Sequence, residues 1–264
     1  MGKRGTSQTS NKKGQVTIFI IIAIVIVVIG VLIYMFRPGI ISTSVSSENP
    51  REYIRSCMID NMMENVDLIS RQGGNFEPSH YYMYEGESID YLCYTPNYYE
   101  LCQVEKPLLV SHVEKEIKDS LKDRYDECFA SLVSDYGSNG YTVDIDKKDF
   151  SIMLMEDRIA LITNTSVRME KGKDIKNYED FNIYMESGMY GLTSVAYNIL
   201  NWESLYGDAD VNIYMDVSNA YMIYKIKRTD GNKIYRIKDT DTNEVFQFAS
   251  RSLVVAPGYG ANQV

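Results

Sequence analysis

The sequence predicts an α+β domain outside the cytoplasm, carried behind a single N-terminal transmembrane helix. Three observations predict it. One long apolar segment stands near the N-terminus, four cysteines lie beyond it, and runs at helical spacing give way to alternating runs near residue 140. Helices followed by antiparallel strands make an α+β arrangement, a sheet with helices against one face. A chain of 264 residues is long enough to bury a sizeable core.

Residues 1–15 read as a cytoplasmic tail, because Lys3, Arg4, Lys12 and Lys13 stand there without an acid. From Val16 to Phe36, 21 residues run without a charge. At about 1.5 Å per residue such a helix matches a bilayer core of roughly 30 Å. A cleaved secretory signal would have an apolar core of about 7–15 residues and a small-residue cleavage site. This segment ends instead in Phe36-Arg37-Pro38. Residues 16–36 therefore read as a retained span with the lipid bilayer as its partner, and the flanking cations keep the N-terminus cytoplasmic. The expectation is a single-pass protein of the cell membrane. Pro38-Gly39 stops the helix and residues 37–48 form a stalk.

Residues 49–264 form the domain, with the change of pattern near 140 as an internal boundary. Asn49, Pro50 and Glu52 signal a helix start. Ile54, Cys57, Met58, Met62, Val66 and Ile69 recur at helical spacing, and Gly73-Gly74 ends the run. Ser111 and Glu114 open a second helix with Ile117, Leu121, Tyr125, Cys128 and Leu132 on its apolar face, ending before Gly137. Phe150–Met155 and Ile159–Met169 alternate around a tight turn at 156–158, and Phe181–Met185 adds a strand. A third helix spans Met189–Leu205, with Leu192, Val195, Ala196, Ile199 and Trp202 facing one way. Strands are expected at Val211–Val217, Ala220–Lys227, Lys233–Lys238 and Glu244–Ser250, with Asp230-Gly231 turning a hairpin, and a frayed end over Pro257–Val264.

An even cysteine count in an oxidising compartment reads as disulfides. Zinc is the competing reading, but no C-x-x-C pair exists. Cys57 and Cys128 fall on the apolar stripes of two helices, which favours a bond joining those helices. Cys93 and Cys102 flank Tyr94-Thr95-Pro96-Asn97, a turn-forming stretch, and favour a local ring.

The chain carries 36 acidic and 27 basic residues, net −9, and without the four tail cations the rest carries −13. That balance excludes nucleic acid as a partner. No G-x-S-x-G, P-loop, G-x-G-x-x-G or H-E-x-x-H motif is present. His80 and His112 are the two histidines, and both read as exposed surface residues. No catalytic residue is assigned. Asp144, Asp146 and Asp149, and Asp239, Asp241 and Asn243, partly imitate calcium loops. Met155 and Ser250 stand where a bidentate glutamate belongs, and neither loop has glycine at its sixth position. These aspartates read as turn formers, and no metal or cofactor is expected. The densest feature is aromatic: Tyr81, Tyr82, Tyr84, Tyr91, Tyr94, Tyr98 and Tyr99 crowd one predicted loop. Tyrosine offers a large contact face at low entropic cost, so these seven are the candidate binding surface, with packing of the ring onto the domain as the alternative. Asn164-Thr165-Ser166 is a glycosylation sequon inside a predicted strand.

Lys12-Lys13-Gly14-Gln15-Val16-Thr17 resembles the processing site of archaeal class III signal peptides, found on type IV pilin-like proteins. The resemblance implies cleavage between Gly14 and Gln15 with the apolar helix retained. Phe19 departs from it, standing where pilins carry the glutamate that aids assembly. More widely, REYIRSCMIDNMMENVDLISRQGG, the second helix with Cys128, DFNIYMESGMYGLTSVAYNIL and FQFASR resemble a group of single-span proteins from small-genome archaea. That likeness implies a shared framework including the Cys57 and Cys128 positions, with Cys93 and Cys102 an additional pair, and it implies no activity. The functional expectation is a non-enzymatic cell-surface role in binding or envelope structure, with other envelope proteins or the chain itself as partner. The alternatives are a processed pilin-like filament subunit and an envelope hydrolase whose carboxylates form no recognisable motif.

Overall fold

The computed structural model describes residues 22, 25–27, 49–217 and 219–254. The expected tail, the Gly14–Gln15 junction, most of the span, the stalk and the end at 257–264 lie outside the described residues. Residues 22 and 25–27 are helical and exposed. Among the described residues, no helix is long and apolar enough to cross a membrane. The chain divides into two units, Met1–Ser46 and Ser47–Val264, and all that follows concerns the second.

Helix α1 spans Pro50–Arg71, and the Asn49 side chain accepts from the Arg51 amide at 3.1 Å, as an N-cap should. Its stripe of Ile54, Met58, Met62, Val66 and Ile69 is buried. Beyond its end, Gly73 has φ +78, and a Cβ there would press against Asp90, so glycine is required twice over. Helix α2 spans Leu109–Ser138. It begins three residues earlier than the Ser111 cap predicts and has no side-chain cap. Glu114 accepts instead from the Leu154 amide at 2.9 Å, because a strand running alongside offers a better partner. Cys57–Cys128 and the contact of Asn65 with Ser120 show α1 and α2 running antiparallel. The stripes that predicted the two helices are thus the surfaces that meet.

The main sheet has the order β1-β2-β12-β11-β10: Tyr81–Tyr84, Glu87–Tyr94, Val245–Arg251, Lys233–Asp239 and Tyr221–Lys227. The two-residue strand β3, Gln103–Val104, also pairs with β2. Pairing is antiparallel except between β2 and β12. Leu92, Tyr235, Ile237, Phe246 and Phe248 point from one face into the main core with the helices. Helix α3, Met189–Tyr206, packs on this face and stops at Gly207, whose left-handed φ of +77 closes the helix.

Two three-stranded sheets pack beside α2. One is β4-β7-β8 (Thr142–Asp146, Ser166–Lys171, Asp174–Tyr178), and the other is β5-β6-β9 (Phe150–Leu154, Arg158–Thr163, Ile183–Glu186). Tyr125 of α2 joins them, its ring 4.6 Å from Phe150 and its hydroxyl 2.9 and 2.8 Å from Thr163 and Thr165.

Several expectations need correction. The tyrosine stretch is not a loop throughout, because Glu85 and Gly86, both at positive φ, turn β1 into β2 as a hairpin. Val211–Val217 is not a strand: Asp210 accepts from the Asn212 amide at 3.0 Å and starts a short helix α4, Asn212–Val217. Ile159–Met169 is two strands, β6 and β7, in different sheets. Asn164 is exposed in the link between them rather than inside a strand. Trp202 is 39% exposed, at the flank of the α3 stripe formed by Leu192, Ala196 and Ile199 rather than within it.

Candidate functional site

The second face of the main sheet begins as a small apolar cluster of Ile89, Tyr91, Ile234 and Ala249, against which Tyr82, Tyr84, Tyr94 and Ile226 pack. Strand alternation explains the selection. In β1 the side chains of Tyr82 and Tyr84 turn inward while Tyr81 and Met83 turn to solvent. Tyr91 sits at the centre. Its hydroxyl donates to Asn232 at 2.7 Å, and burial pushes its ionisation well above the ordinary range. Around it, the His80 ring lies 4.8 Å away, Tyr94 4.9 Å and Tyr82 6.4 Å, the two tyrosines edge-on. His80 is thus half-covered by stacking rather than a free surface residue, and its Nδ1 lies 3.0 Å from the Glu105 carboxylate. Tyr82 donates to Asp230 at 3.1 Å.

Arginines complete the surface. Arg251 lies 6.0 Å from the Tyr94 ring and 5.6 Å from Tyr98, and also donates to the Thr95 carbonyl. Arg228 lies 5.7 Å from Tyr84. The Cys93–Cys102 bond, with Cα atoms 5.3 Å apart, closes the segment carrying Tyr98 and Tyr99. Tyr98 pairs in parallel with Val254, and the Tyr99 amide donates to the Val254 carbonyl at 2.9 Å. The segment is therefore fixed at both ends, while Tyr98 and Tyr99 stay 49% and 62% exposed.

Of the seven predicted tyrosines, the structure brings Tyr82, Tyr84, Tyr91 and Tyr94 onto one face, and Tyr98 adjoins them through Arg251. Tyr81 turns away, and Tyr99 is the most exposed of the set. Sequence reasoning missed the arginines, which lie some 150 residues from the rings they cover. The Glu85-Gly86 pair was the available signal for the hairpin. Chemically the face offers ring surfaces and guanidinium groups.

The other sequence candidates lie apart. His112 is half-buried, its Nε2 2.9 Å from Asn75 Oδ1, and burial lowers its pKa. Asn75 also donates to Asp90, whose carboxyl burial raises to about 7. Asp149 pairs with Lys118 at 2.6 Å, a hydrogen bond that holds its pKa below the usual carboxylate range, and Asp146 pairs with Lys148 at 2.8 Å. Asp239 accepts from the amides of Asp241 and Thr242, so it shapes a turn. Among the described residues, no group of three or more His, Cys, Asp or Glu side chains could hold a metal ion.

One buried polar cluster was invisible in the sequence. Glu203 of α3 is fully buried and accepts from Lys233 at 2.8 Å, from Ser250 at 2.8 Å, from the Ala209 amide at 3.0 Å and from the Tyr235 hydroxyl. Every oxygen of that carboxylate is in use, so it fastens α3 to β11 and β12.

Compared with protein-family models, curated proteins and solved structures, the chain matches none.

Proposed function

We propose that this is a single-pass membrane protein whose outer α+β domain binds another component of the cell envelope through the tyrosine-lined face of its main sheet. The anchor reading is supported by the uncharged run of residues 16–36 and the four cations before it. Two disulfides fit a domain that folds in an oxidising compartment. The observation that carries the binding reading is the Tyr94–Arg251–Tyr98 stack, with its exposed end held rigid by the Cys93–Cys102 ring. A rigid aromatic surface loses little entropy when a partner covers it.

The test replaces the two exposed rings, Tyr98 and Tyr99, and spares Tyr91 and Tyr94, which pack in the cluster. The double variant Tyr98→Ala, Tyr99→Ala should lose at least about tenfold in capture of envelope proteins by the full chain, with an unchanged melting temperature. Capture at the wild-type level by this variant would remove the sheet face from consideration.

A further inference from the structure

Helix α3 presents a face to solvent that a solitary acidic protein does not need. Its 18 residues include one carboxylate, Glu203, and that group is buried. Tyr190, Tyr197, Trp202, Leu205 and Tyr206 are all exposed, Leu205 and Tyr206 by 64% and 62%. Their spacing of 7, 5, 3 and 1 residues spreads them over one side of the helix. Leu108, 74% exposed on the turn before α2, stands across a groove of about 320 Å³ that Tyr197 also lines. Trp202 and Tyr206 hold each other at 5.1 Å between ring centres. Leu253 extends the surface past the end of the helix, packed over Gly207.

We propose that this face is where two copies of the chain pair, α3 against α3 about a twofold axis. Area is the first argument. Aromatic side chains of ~150–250 Å² exposed to these extents, with Leu108 and Leu205, leave on the order of 700 Å² in the open. The largest apolar patch on a typical monomer is roughly 300–600 Å², while a stable interface needs about 800 Å² per partner. Charge is the second. A chain of net −9 repels its own copies over most of its surface, and in a twofold contact each group meets its own equivalent near the axis. A helix face without an exposed ionisable carboxylate or cation is the place where that repulsion vanishes. It also offers nothing to select a charged foreign partner. The groove beside Tyr197 gives a ring of the opposing copy a place to insert. The inference needs neither the anchor nor the sheet-face reading.

The experiment uses the full chain. p-Benzoylphenylalanine is placed at Tyr197, and at Ile175 on β8 as a control, and the protein is irradiated in the cells that produce it. The expected product has twice the chain mass, arises at position 197 and not at 175, and maps by peptide mass to α3 of a second copy. In detergent, light scattering should give two chains per particle, and Leu205→Glu should weaken the dimer at least about tenfold while leaving the circular dichroism unchanged. A cross-link at 197 to lipid or to a different protein alone would overturn the proposal. So would a wild-type particle of one chain, or a dimer indifferent to Leu205→Glu.

Discussion

Asp90 lies on β2, 3% exposed, against the backbone of Gly73. Burial raises its pKa to about 7. The Lys106 charge and the Asn75 hydrogen bond oppose that rise, and Glu105 and Glu116 add to it. In the unfolded chain the same group titrates near its ordinary value of 3.8. Between those values the fold holds a proton that the unfolded chain has released, so this group's contribution to stability falls as pH rises from about 4 to 7 and is flat above. His112, tied to Asn75, works in the opposite sense: its lowered pKa costs stability as pH falls through 6.5. Asp90→Asn separates the two. Relative to wild type, the variant should gain stability steadily between pH 4.5 and 7.5 in urea unfolding. A difference that stays constant with pH would mean that Asp90 does not hold its proton into the neutral range.

At the scale of elements, the two disulfides do unequal work. Cys57–Cys128 joins α1 to α2 across 71 residues, and Cys93–Cys102 closes a span of nine. The entropy removed from the unfolded chain corresponds to about 4 kcal/mol for the first ring and about 3 kcal/mol for the second. Paired Cys→Ser variants, unfolded in urea, should therefore lose stability in that order, and a greater loss from the small ring would contradict it. Helix α1 was legible because a stripe, a cap and a glycine stop all agreed, and α3 was legible from its stripe. The hairpins at 156–158 and 230–231 were legible because their turn residues sat between alternating runs. Less local features were not. Trp202 reads as core by hydrophobicity, yet whether a ring at that position turns inward depends on what stands opposite it. The tyrosine face needed the pairing of β2 with β12, which brings Tyr94 beside Arg251, and no spacing rule encodes a contact across so long a separation. Glu203 looks like any surface glutamate until Lys233, Tyr235 and Ser250 converge on it.

For the whole molecule, the reading with most consequence is the anchor. Membranes from cells producing the full chain should retain it through a carbonate wash, and detergent should release it. Sequencing the released protein then reports on the Gly14–Gln15 junction: a chain beginning at Gln15 means pilin-type processing and makes filaments worth seeking by microscopy. Release by carbonate alone would remove residues 16–36 as a span.

The position of β12 bears on how such a protein comes into being. It follows every other described element in the chain, yet it lies inside the sheet, between β2 and β11. During synthesis, the β1–β2 and β10–β11 hairpins therefore wait as two separate pieces, each with a row of open backbone groups. The helices wait as well, without Phe246 and Phe248 to cover. No described strand before Val245 fills that gap, so the main sheet closes only when the chain has been delivered almost in full. A polypeptide stalled before Val245 would leave Cys57 and Cys128 free to pair while the sheet around them stayed open, a species for chaperones and proteases to meet.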